Sequence, residues 1–248
     1  MGLFGWRRAR REGEPSKLEY LNRYTLGLGR IAFIEAPVPQ DAAIPRTWRT
    51  LPELEPKDRA ELMVDLMRRV VGKQLPRTLT YLDEHCTNAE LAQWGERYVV
   101  IYTVITNRGN PLYYCGGNPL QPTWPDAADP ARRNVREVWD QVPDPLKSFY
   151  ETVHDGFYYF ACGALGLSQL SDVTCLGDED LEPQWRSRFA GSYMFYSHLT
   201  GGYLVLDVDG PRPGRADIWW NDPEPELDID FWRQLDELTA AGFNPIDA

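Results

Sequence analysis

Carboxylate side chains dominate the chemistry that the C-terminal third of this sequence offers. Carboxylates ligate cations, transfer protons, or pair with the guanidinium and ammonium groups of another molecule. Aromatic residues interleave with the acids, and tryptophan is among the residues favoured at the centres of protein interfaces. The candidates for a partner-binding surface are Asp178, Glu179, Asp180, Glu182, Asp207, Asp209, Asp217, Trp219 and Asp222.

The charge distribution favours a basic protein as the partner of these residues. The chain of 248 residues has a formal net charge of −11. From Asp178 to the end there are fifteen Asp or Glu against five Arg and no Lys, a net charge of −10. A surface of one sign accelerates encounter with an oppositely charged protein by about 10- to 1000-fold. The alternative interpretation is that the acidic surface serves solubility. Nucleic-acid binding is not expected, because it requires a basic face.

Metal and cofactor sites are the less favoured interpretations. The run Asp178-Glu179-Asp180 with Glu182 lacks the alternating ligands and the central glycine of a calcium loop, so a solvated acidic loop is expected. The four cysteines lie far apart without Cys-x-x-Cys spacing, which predicts reduced thiols and no zinc site. No strand is evident before the glycines at 27 and 29, and prolines follow them. No dinucleotide cofactor is therefore predicted.

The histidines do not indicate a catalytic site. His85 and His154 are expected at helix C-termini, where a cation interacts favourably with the helix dipole. His198 is expected to be a partly buried residue of a strand. No Gly-x-Ser-x-Gly motif occurs. We therefore predict a binding protein and not an enzyme.

The C-terminal half is expected to place the acidic residues on antiparallel strands. Asp144 and Pro145 open a helix with apolar residues at helical spacing, and Gly156 ends it. Strands are predicted at 157–160, 192–199, 203–209 and 216–221, and a closing helix at 230–241. In the third strand, Asp207 and Asp209 should share the face opposite the aliphatic residues.

The N-terminal half is predicted to be mainly helical. Residues 1–20 form a basic tail that we expect to be disordered, and prolines mark an extended connector at 36–56. Helices are predicted at 58–71, 79–86, 87–106 and 130–140. A capping box of Thr87 and Glu90 opens the third of these. The β-branched run 98–102 leaves a strand open as the alternative there.

Four segments of the C-terminal half, in order, resemble the Smi1/Knr4 (SUKH) family. The first, 142–157, has a proline before a short helix with Leu and Phe-Tyr, and Asp155 stands where the family has Asn before a glycine. The others are the glycine turn and Leu-x-Leu-Asp strand 201–207, the strand 214–222 and the closing helix 231–238. The resemblance covers about residues 135–243.

The resemblance implies an intracellular α+β binding domain at 135–248, with an antiparallel or mixed twisted β-sheet flanked by helices. Residues 21–134 either complete this domain or form a helical subdomain. Bacterial members often act as immunity proteins against secreted nuclease or other toxins, and the fungal founders are regulatory scaffolds. An immunity protein that occludes a basic toxin is therefore implied, with a scaffold as the alternative and no catalytic residues to transfer. No apolar stretch approaches the about 18 to 20 residues that cross a bilayer, so a cytoplasmic location is expected.

Overall fold

A ten-stranded antiparallel sheet is the centre of the computed structural model, which describes residues 15–25, 27–125, 132–220 and 224–244. Each strand pairs with the next along the chain, so the sheet is a meander with β1 and β10 at its edges. The strands are β1 (Ile31–Phe33), β2 (Cys86–Trp94), β3 (Arg97–Ile105), β4 (Pro111–Gly117), β5 (Phe157–Tyr159), β6 (Ala164–Leu167), β7 (Ser192–Ser197), β8 (Gly202–Asp207), β9 (Ala216–Trp220) and β10 (Glu226–Ile229).

Four of the six helices among the described residues cover one side of this sheet, called here the first face. The helices are α1 (Lys17–Arg23), α2 (Pro56–Val71), α3 (Pro76–His85), α4 (Asp144–Thr152), α5 (Pro183–Arg186) and α6 (Phe231–Gly242), with 3-10 helices at Arg46–Glu53, Val135–Gln141, Leu170–Asp172 and Leu176–Asp178. The apolar stripes of α2, α3, α4 and α6 join inward side chains of β2 to β9 in the largest core. This core runs from Ala42 to Phe243, so the regions 21–134 and 135–248 share one sheet and one core.

Two shorter pieces of chain cover the opposite side, called here the second face. Over β1 to β5, Leu21 of α1 packs on a cluster that includes Ile101. Over β7 to β9, the segment 173–190 packs Phe189 and its apolar neighbours against Val205. The second face therefore carries two separate small cores in place of a continuous helical layer.

Lys17 anchors α1 to the second face. Its ammonium pairs with Glu90 and donates to Thr103 Oγ1 at 2.7 Å, while lying 5.0 Å from the centroid of the Phe33 ring. Burial lowers the pKa of Lys17, and the Glu90 carboxylate opposes that shift. The Glu90 carboxylate compensates the cost of burying the Lys17 charge, because a buried charge is tolerated only when it is paired.

The start of α1 differs from the sequence-based expectation for residues 1–20. The helix begins at Lys17, with Ser16 and Glu19 forming a reciprocal capping box that satisfies two free amides of the first turn. The expected tail therefore does not extend to residue 20. Residues 1–14, with the rest of that prediction, lie outside the described residues.

Most predicted elements are confirmed. Helices α2, α3, α4 and α6 and strands β5, β7, β8 and β9 lie within a few residues of their predicted positions. Gly156 adopts a φ of +79° after α4, and Asp230 caps α6 by accepting from the Arg233 amide. The helix predicted at 130–140 is a 3-10 helix capped by Asn134. Asp129 and Pro130, its expected start, lie outside the described residues.

The helix predicted at 87–106 is wrong, and so is the mainly helical N-terminal half. This segment forms β2 and β3, paired antiparallel, with the turn at Gly95 between them, so the strand left open at 98–102 is confirmed. Both faces of β3 are covered, and such a strand is a continuous apolar run that periodicity cannot distinguish from a buried helix. The expected capping box is replaced by strand contacts, because Thr87 donates to the Thr103 carbonyl and Glu90 binds Lys17.

Candidate functional site

An open cleft of about 800 Å³ lies on the second face, over β7 to β9 and beside the segment 173–190. Three carboxylates line it, those of Asp172, Glu179 and Asp180, and the aromatic side chains of Tyr203 and Trp219 form part of its lining. We call this site the acidic cleft. Three of the residues singled out in the sequence, Glu179, Asp180 and Trp219, therefore come together.

Buried leucines on either side of the acids hold the cleft wall in place. Leu176 and Leu181 pack against Phe189 in the small core on the second face. The chain between them is short, so Glu179 and Asp180 are directed into solvent and both are exposed. A packed frame that presents exposed charges is suited to recognition, since the loop needs little ordering on binding.

The floor of the cleft combines aromatic and thioether surface. The Trp219 ring is half-buried and lies 5.3 Å from the Phe189 ring in an edge-to-face arrangement. Met194 and the half-buried Tyr203 line the same space. Trp220, the next residue, packs toward the first face, as expected for neighbours on a strand. Trp219 is thus held by packing and keeps one side available to the cleft.

Hydroxyl groups add hydrogen-bonding capacity to the cleft. Ser168 is only 5 % exposed, lines the cleft, and has no hydrogen-bond partner for its Oγ among the described residues. Its backbone is fully used, because the carbonyl accepts from Tyr150 Oη at 2.6 Å and the amide donates to Phe195. The Oγ atom itself is not fully buried, so water or a ligand in the cleft can form a hydrogen bond with it.

Two arginines border the acids without filling the cleft. Arg132 lies 3.5 Å from Glu179 and Arg186 lies 3.4 Å from Asp180, measured from guanidinium nitrogen to carboxylate oxygen. All four side chains are largely exposed. Exposed pairs of this kind contribute little, because water competes for both partners. They are therefore easily exchanged for cationic groups of another molecule.

Asp178 and Glu182 have mainly local roles at the ends of this loop. The Asp178 carboxylate accepts from the backbone amide of Arg133 at 2.6 Å and is half-buried. Glu182 precedes the short helix α5 and accepts from Gln184. Neither residue lines the cleft, although Glu182 is exposed close to it in sequence.

Asp207 is not part of an exposed acidic face, contrary to the expectation from strand alternation. It is 1 % exposed, and its two carboxylate oxygens accept from the amides of Gly210 and Arg212, each at 2.8 Å. The carboxylate thereby closes the turn after β8. Segment 173–190 covers the strand face that alternation assigned to solvent. Asp209, in the same turn, is exposed.

Asp217 is likewise internal, at the centre of an arginine network. It is 1 % exposed, and its oxygens accept from Arg188 at 2.8 Å and from Arg212 at 2.5 Å. The amide of Asp228 donates to it at 2.6 Å. The Asp228 carboxylate also pairs with both arginines, and hydrogen bonding to Arg188 lowers its pKa. Asp217 therefore stabilises the fold and is not an accessible binding group.

His154 lies inside the main core, and its expected role as a helix-terminal cation is wrong. It is fully buried, with Nε2 2.6 Å from Tyr102 Oη and Nδ1 3.2 Å from the Gly117 carbonyl. Burial lowers the pKa of His154 to about 3, so the ring is neutral. Nδ1 then donates to Gly117 and Nε2 accepts from Tyr102. His154 cross-links α4 to β3 and β4 and has no access to the cleft.

No helix among the described residues combines the length and apolarity needed to cross a membrane. Within the same residues there is no group of three His, Cys, Asp or Glu placed to hold a metal ion. Asp222, the last of the predicted site residues, lies outside the described residues. No family model, no curated protein and no solved structure matches this chain.

Proposed function

We propose that this protein is a stoichiometric binding protein of the immunity type, which neutralises a basic toxin of nuclease type by occluding one of its essential surfaces. The observation that carries the proposal is the acidic cleft, where Glu179, Asp180 and Trp219 meet beside an aromatic floor. The Smi1/Knr4 resemblance of residues 142–238 supports the same class. We place the protein in the cytoplasm, where its free cysteines would stay reduced.

The cleft suits the cationic side chains that such a toxin presents. Guanidinium and ammonium groups form charge-assisted hydrogen bonds with carboxylates such as Glu179 and Asp180. The same groups are attracted to the faces of Trp219 and Tyr203. Tryptophan and tyrosine are enriched among the energetically important residues at the centres of interfaces. A positive loop of the partner would insert here, with its charge compensated on several sides.

The distribution of charge supports fast association. The net charge of −10 from Asp178 onward supplies a long-range field, although Asp207 and Asp217 are neutralised internally. Steering of this kind acts on the association rate and is screened by salt over a Debye length of about 8 Å at physiological ionic strength. Complex formation should accordingly slow with added salt.

The alternative is a regulatory scaffold that docks partners through its N-terminal helices. The apolar stripes of α2 and α3 are, however, buried in the main core, with Met63, Met67 and Leu79 inward. Their outer faces carry charged residues such as Lys57 and Glu61. These helices therefore present no apolar docking face, and the acidic cleft is the better-supported site.

The proposal is tested by capture from the lysate of producing cells with the tagged chain as bait. We expect a basic polypeptide whose toxicity in a test strain is abolished by co-expression of this protein. The charge-reversed variant Glu179→Lys/Asp180→Lys should capture at least about tenfold less of it, because attraction becomes repulsion.

The matched control is Glu35→Lys/Asp41→Lys, which changes the same charge at exposed positions after β1, at the far edge of the sheet. This control should capture the toxin normally. Capture of only housekeeping proteins, or equal loss in both variants, would contradict the proposal.

A further inference from the structure

We propose that the acidic cleft also binds a linear aliphatic polyamine, a small organic cation whose ammonium groups are joined by methylene chains. The cleft has the size of a small-molecule site, because its volume of about 800 Å³ lies within the range of about 300 to 1,000 Å³ that is usual for ligand pockets. A polyamine is small enough to lie inside this space, whereas a partner protein covers a much larger surface. The proposal therefore adds a second class of ligand to the site.

The lining of the cleft carries negative charge without positive side chains beside it. Its three carboxylates come from two segments, since Asp172 ends one 3-10 helix and Glu179 and Asp180 follow the next. No lysine, arginine or histidine of the described residues lines the space. Asp172 is exposed and accepts hydrogen bonds from the neutral side chains of Gln169 and Ser171, at 3.2 and 3.3 Å. A ligand with several cationic groups would supply the counter-charge.

The aromatic floor offers ring faces to the same cationic groups. Trp219 and Tyr203 are half-buried and line the cleft. The cation–π contacts among the described residues are made to Phe33, Tyr113 and Trp124, so no cation of the described chain occupies the two floor rings. An aromatic ring attracts an ammonium group within about 6 Å of its centroid. The floor is thus available to a cationic ligand.

Apolar atoms and hydroxyl groups complete the lining. Leu176, Leu181 and Met194 contribute atoms against which the methylene groups of a ligand can pack. Ser168 is 5 % exposed as a residue, and its Oγ atom is not fully buried and has no hydrogen-bond partner among the described residues. An ammonium group donates hydrogen bonds and accepts none, so it matches a lining of carboxylate and hydroxyl oxygens.

The mixture of residue types favours an organic cation over a metal ion. Among the described residues there is no group of three His, Cys, Asp or Glu placed to hold a metal ion. A Mg²⁺ ion demands octahedral oxygen ligands and gives up its water reluctantly. An ammonium group on a methylene chain instead pairs with a carboxylate while its chain buries apolar surface. The cleft therefore fits a cation that carries its own apolar surface.

A bound polyamine changes how a protein partner enters the cleft. It neutralises the carboxylates of the wall and covers the floor, so a basic partner must displace it. Displacement rejects weakly cationic proteins and favours a partner that places several cationic groups in the cleft at once. This regulatory meaning rests on the proposed function, whereas the binding of the polyamine itself does not.

Isothermal titration calorimetry of the full chain with spermidine, without any partner, tests the proposal. Hexaamminecobalt(III) is titrated in parallel, because it has the same charge and donates N–H groups but has no methylene chain. We expect spermidine to bind at least about fivefold more tightly than the cobalt complex, since full burial of two methylene groups contributes about 15-fold. Equal or weaker binding of spermidine overturns the proposal, because charge alone would then account for the attraction.

Matched variants test whether spermidine binds at the cleft. Glu179→Gln/Asp180→Asn removes two exposed carboxylates of the lining and should weaken spermidine binding at least about fivefold, because two ion pairs are lost. Glu35→Gln/Asp41→Asn removes two exposed carboxylates after β1, at the far edge of the sheet, and should change the affinity less than about twofold. Equal weakening in both variants overturns the proposal.

Indole NMR signals report on the floor of the cleft. Spermidine should shift the indole N–H signal of Trp219 and leave unchanged that of Trp48, which is fully buried in the main core. Binding without a shift at Trp219 overturns the placement in the cleft. These titrations contain no toxin, so their failure leaves the proposed function standing, and failure to capture a toxin leaves the binding of spermidine intact.

Discussion

Two groups of aspartate and glutamate residues have the same appearance in the sequence and opposite roles in the structure. Glu179 and Asp180 stand exposed at the acidic cleft, with arginines only at their outer side. Asp207 and Asp217 are 1 % exposed and satisfied by turn amides and arginines. The formal charge of the C-terminal third therefore overstates the acidic surface, since part of it is neutralised within the fold.

The difference arises from what surrounds each carboxylate. Asp207 is followed by a Gly-Pro-Arg-Pro-Gly turn, whose amides need acceptors. Asp217 lies on a strand beneath two arginines from other segments. The loop of Glu179 is instead fixed by buried leucines and leaves its acids without internal donors of this kind. Acidic residues in a packed loop are thus better candidates for recognition than those in strands and tight turns.

Among substitutions in the two groups of acidic residues, we expect the largest loss of folding free energy at Asp217. Replacement by Asn keeps the size but leaves two arginines without their buried counter-charge. Removing one partner of a fully buried pair costs about 3–5 kcal/mol, and we expect about 2–3 kcal/mol because water still reaches both arginines. Urea unfolding of Asp217→Asn measures this loss. A loss under about 0.5 kcal/mol, the usual range for surface changes, would show that the network is not structural.

His154 is an internal base, and burial keeps it uncharged in the folded protein. Its pKa of about 3 in the fold lies below the ordinary 6.5, so the unfolded chain binds the additional proton between these values. Stability therefore falls as the pH drops through this window, by up to about 1.4 kcal/mol per pH unit. We expect His154→Gln to lose about 1.6 kcal/mol less than the parent chain between pH 6.5 and 5. Parallel pH profiles in urea unfolding would contradict a buried, neutral His154.

The smallest stability effect is expected at the acidic cleft. Glu179→Gln/Asp180→Asn should leave the free energy of unfolding within about 0.5 kcal/mol of the parent, because both side chains are exposed and their pairs are weak. Chemical denaturation checks this directly. A large destabilisation would show that Glu179 and Asp180 stabilise the fold as Asp217 does, and would contradict the distinction between the two groups.

Local sequence patterns predicted the helices and strands that have one face in the core and the other in solvent. The apolar stripe of α2, the capped start of α6 and the glycine after α4 were all predictable, since each depends on neighbours within a few residues. Strand β3 was predicted only as the alternative at 98–102, from its β-branched residues, because both of its faces are covered and its run of apolar residues carries no period.

The sequence indicated which types of residue form the acidic cleft, but not which particular residues line it. Glu179, Asp180 and Trp219 could be named from composition, whereas Asp172 and Ser168 join them only through the pairing of β6 with β7. The partners of His154 lie 52 and 37 residues away, so its burial had no local signal. Long-range pairing decides which of many similar carboxylates remain available.

The central claim, that the acidic cleft binds a basic protein, is tested most directly by association kinetics with the captured toxin at several salt concentrations. We expect Glu179→Lys/Asp180→Lys to lower the association rate constant at least about tenfold at low salt, and the deficit to shrink as salt is added. Glu35→Lys/Asp41→Lys, with the same net charge, should stay within about threefold of the parent. Equal rates for the two variants, or a rate of the parent chain that does not change with salt, would contradict the claim.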